Sequence, residues 1–393
     1  MKKKQIILAI LYFIFGISIN LAHPVTPAYV ESLELPKFIF GFLYSAMSLG
    51  VVIGALLFGN LSDKFGRKIF IILGMIGYAF GQFCFGYLSM YPYLFIFYRF
   101  ISGFFISFPQ ALFIAEAASV TNNSGRVKYF GLLAAISVLS GSFGYKIGGF
   151  LNVNGMSFKG IFNIQIMVSL GLALLVLFFL KSNAKNENSS KNTMIAGFKY
   201  IFKANKRLLF LLILLAIITI AQTNVTKYLD VLITDLYNPD VLGNFVLATS
   251  IIGVAANVFI LPIINRKAKE KETKYLFMLQ LISGIAIFMT FTIFRSKILI
   301  MLYSVFMIYM IVKTLTTPLE TDLISQESKE ENYGMILGAR QSFLAIGQVI
   351  GPLFGGFLYG VNPYLVFYFS AFLFLIVSIF LLVYNKIYGG IMK

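Results

Sequence analysis

The chain has 393 residues, 59% of them apolar and only 12% charged, with a mean hydropathy of +0.86. Soluble domains carry about 25% charged residues, so the two or three water-soluble domains that the length alone would suggest are excluded and the chain belongs in a bilayer. Its 32 Lys and Arg against 15 Asp and Glu leave a net charge of +17, which in such a chain is read first as a record of topology, not as a nucleic-acid footprint.

A helix needs about 20 mostly apolar residues to cross a membrane. Twelve runs qualify, at 6–30, 38–60, 68–89, 92–117, 127–151, 160–181, 207–234, 241–264, 274–294, 297–322, 333–359 and 363–385. The first is too long for a cleaved signal and is followed by further spans. With the amino terminus placed inside, 23 of the 32 basic residues fall in cytoplasmic segments. Only Lys37, Lys159, Arg295 and Lys297 fall outside. This bias predicts cytoplasmic termini. The polar stretch 182–206, rich in Lys, Asn and Ser, reads as a cytoplasmic linker, with an amphipathic piece at 194–202, between six-span halves at 1–181 and 207–393.

The halves repeat. Gly144-Tyr-Lys-Ile-Gly148-Gly149-Phe150-Leu151 in span five matches Gly351-Pro352-Leu-Phe-Gly355-Gly356-Phe357-Leu358 in span eleven, and the same offset carries Gly131 onto Gly338. Small residues at these spacings let helix backbones approach closely. Parallel repeats of this kind place a substrate site near the midplane between halves.

Between spans two and three lies Gly59-Asn-Leu-Ser-Asp63-Lys64-Phe-Gly66-Arg67-Lys68. A topology signal needs only the basic residues. Asp63 can cap a neighbouring helix N-terminus, and Arg67 can pair with Glu116 at the inner end of span four. This loop resembles the signature loop of the major facilitator superfamily. Arg99-x-x-x-Gly103 in span four is similar to that family's second motif. Gly144-x-x-x-Gly148-Gly149 is similar to the span-five motif of its drug/proton-antiporter-like twelve-span branch, with Tyr145 where proline is usual; span eleven keeps Pro352. The resemblance implies an all-α integral membrane protein of twelve transmembrane helices in two pseudo-symmetric six-helix bundles. It further implies a secondary transporter of a small solute that works by alternating access, ion-coupled or not, in efflux or in uptake. In that family the residue matching Asp63 docks at span eleven and stabilises the outward-facing state, with those matching Arg67 and Glu116 in a charge relay. The corresponding loop at 265–274 is basic but lacks the glycines and the aspartate.

Charges inside spans are costly and therefore candidates for function. Lys313 lies near the centre of span ten, where it is expected to face an aqueous cavity. Arg99 either faces that cavity or braces neighbouring helices. Lys146 is expected to snorkel, and Lys227 to pair with Asp230. Glu320 and Asp322 are placed to cap span ten or pair with Arg340. His23, the only histidine, precedes Pro24 and reads as a helix-end polar residue. Every acid reads as near a membrane face or in a loop, so proton antiport of a cation through a buried carboxylate is not expected. A small solute, anionic or neutral and polar, is therefore expected, with Asn20, Gln110, Gln222, Asn224 and Gln341 joining Arg99 and Lys313 as candidate cavity residues. One cysteine, Cys84, rules out a disulfide framework. No metal, cofactor, P-loop or nucleic-acid partner is expected, and the chain is read as a monomer. A receptor or scaffold that kept the fold without transport, and a membrane-embedded enzyme, are the competing classes.

Overall fold

A computed structural model describes residues 3–88, 91, 93–121, 123–180, 206–268, 271–293, 297–326 and 333–388; the side chains at 58–60, 63–64, 118–119, 123–128, 325, 333–335, 337 and 388 are not among what it describes. The expected amphipathic piece at 194–202, and nearly all of the linker, therefore lie outside the described residues. The described residues are helical or lie in turns and short connecting segments, with no strand among them, and twelve helical spans are long and apolar enough to cross a membrane.

In the first half of the chain the helices are α1 (Lys3–Asn20), the short α2 (Thr26–Glu31), α3 (Ile39–Phe65), α4 (Arg67–Tyr87), α5 (Leu94–Ser119), α6 (Asn123–Val153) and α7 (Phe158–Phe179). The second half holds α8 (Lys206–Leu236), α9 (Pro239–Ala255), a π turn (Ala256–Ile260), α10 (Leu261–Ala268), α11 (Glu272–Thr292), α12 (Ile298–Tyr303), α13 (Val305–Gln326), α14 (Tyr333–Val361) and α15 (Leu365–Tyr388).

Three expected runs prove discontinuous. The run at 6–30 stops at Asn20, because Pro24 has no N–H to continue the helix; Thr26 then bonds back to Ala22 O through both its N–H and its hydroxyl. The tenth span breaks at Ser304 (φ −120°, ψ −85°), which separates α12 from α13. The eighth widens at Ala256–Ile260, where Leu261 N–H reaches Ala256 O, five residues back. Pro262 follows directly. In a regular helix its ring would press on the carbonyl four residues earlier, at Val258, and a wider turn relieves that contact.

The chain divides into two compact units, Met1–Lys191 with Asp230–Ser250, and Asn192–Leu229 with Ile251–Lys393. In the first, α3 and α4 both pack along α5, and α6 packs along α1. Its core runs through Leu8, Tyr12, Phe15, Met75, Tyr78 and Phe113. At the α2 end, Tyr29 meets Phe85, Phe95, Phe158 and Phe162 edge-on, with centroids 5.2 to 6.4 Å away, a geometry that favours aromatic quadrupoles. In the second unit α11 packs on α13 and α15. There Phe291 stacks on Phe367 at 3.8 Å.

Candidate functional site

The signature loop is a turn that needs glycine. Gly66 closes α3 with φ +94° and bonds to Ser62 O at 2.9 Å; a side chain there would be strained. This turn starts α4 at Arg67. Its Nη1 donates to Ala115 O at 3.0 Å and lies 3.7 Å from Glu116 Oε2. Glu116 is buried, so the pair is only partly screened by water. Lys68 is half-buried on the same turn of α4. Asp63 and Lys64 lie in the last turn of α3, but their side chains, like the surroundings of Gly59, are outside the described residues.

Arg99 is packed among neighbouring helices in this conformation. The residue is 5% exposed, its Nη2 donates to Thr26 Oγ1 at 3.1 Å, and its guanidinium lies 3.9 Å from the Phe85 ring centroid. A desolvated cation–π contact of this kind contributes about 2 kcal/mol. Four residues on, a β-carbon at Gly103 would overlap the Met47 backbone of α3. Gln110 on α5 is exposed, and Asn20 is half-buried, its amide donating to Gly16 O at 2.9 Å.

The α1–α6 contact explains the span-five glycines. A β-carbon at Gly144 would press on Ile17 O and Asn20, and one at Gly148 would overlap Leu21 O. Gly149 faces Pro239 at the start of α9. Around this approach lie three polar contacts to the Asp230–Ser250 hairpin, which packs within the same unit. Tyr145 donates to Asp230 Oδ2 at 2.8 Å, Lys37 donates to Asp235 Oδ2 at 2.8 Å, and Lys146 pairs with Asp240 Oδ1 at 2.5 Å. His23 stacks on the Tyr145 ring, centroids 5.6 Å apart and planes 3° from parallel. Lys146 thus does not snorkel away alone: it ends in an ion pair. Asp230, expected beside Lys227, accepts a hydrogen bond from α6 across 85 positions of sequence.

The second unit repeats the glycine packing on α8. Gly351 faces Ile220, and a β-carbon at Gly355 would meet Asn224 and Tyr228. The Tyr228 hydroxyl donates to Pro352 O at 2.6 Å, and Gly356 is buried four residues further along α14. Asn224 is fully buried, and neither amide atom has a hydrogen-bond partner among the described residues. Lys313 on α13 is half-buried and donates to Thr226 Oγ1 at 3.0 Å, while the Thr226 hydroxyl donates to Gln222 O at 2.8 Å. Gln222 is half-buried and Gln341 exposed. Thr226 was not among the sequence candidates; its position four residues after Gln222 was the available signal. The acids expected near a membrane face are nonetheless buried: Glu116, Asp230, Glu272 and Glu320 are each no more than 7% exposed. A place near a helix end is not exposure when neighbouring helices cover it.

Residues 8–343 match the sequence model of the Major Facilitator Superfamily. The chain belongs to the major facilitator superfamily. Within this superfamily it is similar to Multidrug resistance protein 1 of Bacillus subtilis (strain 168), 27% identical over 374 residues and covering 94% of each chain. Multidrug resistance protein 2 of the same organism is 24% identical over 93% of this chain and 90% of its own. A multi-drug resistance efflux pump PmrA homolog of Lactococcus lactis is 26% identical over 93% and 91%. Among solved structures, the nucleoside transporter NupG superposes with a TM-score of 0.73 at 16% identity, over 98% of this chain and 100% of that one. The human organic anion transporter MFSD10 superposes at 0.68 and 15%, over 97% and 100%. These two show the fold. Membership of the major facilitator superfamily makes the chain a secondary transporter of small solutes in a lipid bilayer.

Proposed function

We propose that this superfamily member exports small anionic or neutral polar solutes by alternating access of its six-span halves, 1–181 and 207–393, about the linker 182–206. It does so as a monomer in the plasma membrane, with both termini cytoplasmic and with no catalytic chemistry. The multidrug resistance relatives support export. The charge bias of the loops supports the orientation. Anion preference rests on one observation, the Lys313–Thr226 pair at 3.0 Å on a half-buried face in mid-span. The ammonium and the Thr226 hydroxyl stand together in mid-span, where an ionisable group is costly and marks a solute pathway.

The test is uptake into inverted proteoliposomes of a dye panel with anionic, neutral and cationic members. A hydrogen bond to a charged group contributes about 1.5–3 kcal/mol. Lys313→Ala should therefore weaken anion transport roughly 10- to 100-fold and spare neutral dyes. Equal transport of every anion by wild type and variant would remove the anion assignment. A wild-type protein that moves no member of a broad panel would remove the export assignment.

A further inference from the structure

The stretch 258–274 of the second unit, from the π turn through α10 to the start of α11, has no part in the contacts described above. Its first turns are apolar at the surface: Phe259 is 71% and Ile263 54% exposed, and Val258 is exposed as well. Its last residues are basic at the surface: Arg266, Lys267, Lys271 and Lys274 are all exposed. Ile263, Arg266 and Lys267 stand at i, i+3 and i+4 and so share one face of α10. Lys271 and Lys274 are likewise three apart where α11 begins.

The nearby acids are turned elsewhere. Glu272 and Asp322 line a separate polar niche of about 320 Å³ with Asn265, Ala268, Pro318 and Leu319. Asn265 and Ala268 stand three apart on a different face of α10 from Ile263 and Arg266. Among the described residues no ion pair neutralises any of the four cations. Lys269 and Glu270 lie outside the described residues, and over 265–274 five basic residues stand against two acids. The internal repeat gives a contrast. The offset that carries Gly131 onto Gly338 also carries Arg67 onto Lys274. Arg67 turns inward, to Ala115 O and Glu116, whereas Lys274 stays at the surface.

We propose that this face binds an anionic phospholipid of the adjoining leaflet. The acyl chains lie along Val258, Phe259 and Ile263, and the headgroup phosphate meets Arg266, Lys267, Lys271 and Lys274. Phe259 and Arg266 are seven residues apart, about 10 Å of helix rise, which is the depth over which a bilayer passes from acyl chain to headgroup. Four to eight Lys and Arg directly beyond a spanning helix form a patch that attracts anionic headgroups. The guanidinium of Arg266 can hold two phosphate oxygens at once, and the three lysines add point charges. A zwitterionic lipid carries its own ammonium beside the phosphate, so the unneutralised cations favour the anionic one. The site does not depend on which solute is carried.

The experiment attaches a fluorophore to Ile263→Cys in the full chain carrying Cys84→Ala, reconstituted in phosphatidylcholine vesicles. Phosphatidylglycerol or phosphatidylcholine with brominated acyl chains is added, and quenching reports which lipid occupies this face. Each cation near an anionic surface favours an anionic lipid about fivefold. With the four cations in place, phosphatidylglycerol should reach half-maximal quenching at a mole fraction roughly tenfold or more below that of phosphatidylcholine. Arg266→Gln, Lys267→Gln, Lys271→Gln and Lys274→Gln combined should bring the two lipids together; these side chains are exposed, so the fold is spared. Lys206→Gln with Lys386→Gln, exposed cations elsewhere on the second unit, should keep the preference. Equal quenching by both lipids with the cations in place overturns the proposal, as does a preference that survives the fourfold substitution or that the control pair also abolishes. A preference removed by inorganic phosphate at constant ionic strength overturns it too, since the site would then take the free ion. Because no transport is measured, failure here leaves the export reading standing, and failure of export leaves this one standing.

Discussion

The hydroxyl of Tyr145 stands 2.8 Å from Asp230 Oδ2 and donates to it. Tyr145 stands where the motif that this segment resembles has proline, and its hydroxyl is a donor that proline lacks. His23 is stacked on the ring that carries that donor. Tyr145→Phe keeps the stack and removes the bond. The hairpin Asp230–Ser250 should then loosen, and a cysteine placed at Asn244, which is exposed, should label several-fold faster with a water-soluble maleimide. Identical labelling rates would mean that the bond holds nothing.

Lys146 and Asp240 are each about a quarter exposed, so their pair is worth only about 1 kcal/mol. Either single reversal, Lys146→Asp or Asp240→Lys, should lower thermal stability by that amount or slightly more, since it sets like charges together. The double reversal should recover most of the loss. Additive losses in the double variant would show that the two charges do not interact.

Arg67 does two jobs with one planar group, a bond to Ala115 O and a charge contact with Glu116. A lysine cannot reproduce that fork. Arg67→Lys should therefore resemble Glu116→Gln in shifting accessibility labelling between the two faces of the protein. A wild-type labelling pattern in Arg67→Lys would reduce the pair to a surface charge.

The glycines separate by what surrounds them. Gly148→Ala and Gly355→Ala each force a methyl into a neighbouring helix, at Leu21 O and at Asn224 and Tyr228 respectively. Overpacking of this kind costs about 1–3 kcal/mol. Gly131→Ala meets nothing within 4 Å and should gain up to about 1 kcal/mol of helix propensity. Thermal unfolding in one detergent would compare all three, and a destabilised Gly131→Ala would break the argument.

Hydropathy and loop charge were enough to reveal twelve spanning helices, since both depend on composition over whole turns. The motif residues Gly66, Arg67 and Glu116 were legible because a left-handed turn and a paired buried carboxylate demand those residue types. What stayed hidden depended on three-dimensional neighbours. The contacts of Arg99, with Thr26 and Phe85, lie 73 and 14 positions away in sequence. Lys146 has the sequence surroundings of a snorkelling residue, and only folding brings Asp240, 94 positions on, beside it. Glu320 has the sequence position of a peripheral acid, because nearness to a helix end in sequence resembles nearness to water until neighbouring helices are in place.

The π turn at Ala256–Ile260 fits one extra residue into a helix that otherwise advances about 100° per position. Everything after it, including Asn265 on the wall of the polar niche, is therefore set in rotational phase by that surplus. A deletion of one residue within the turn would leave composition and span length almost untouched, yet would swing Asn265 and the basic end of α10 by more than a quarter of a circle. In this span the count of residues, as much as their identity, is part of what the protein encodes.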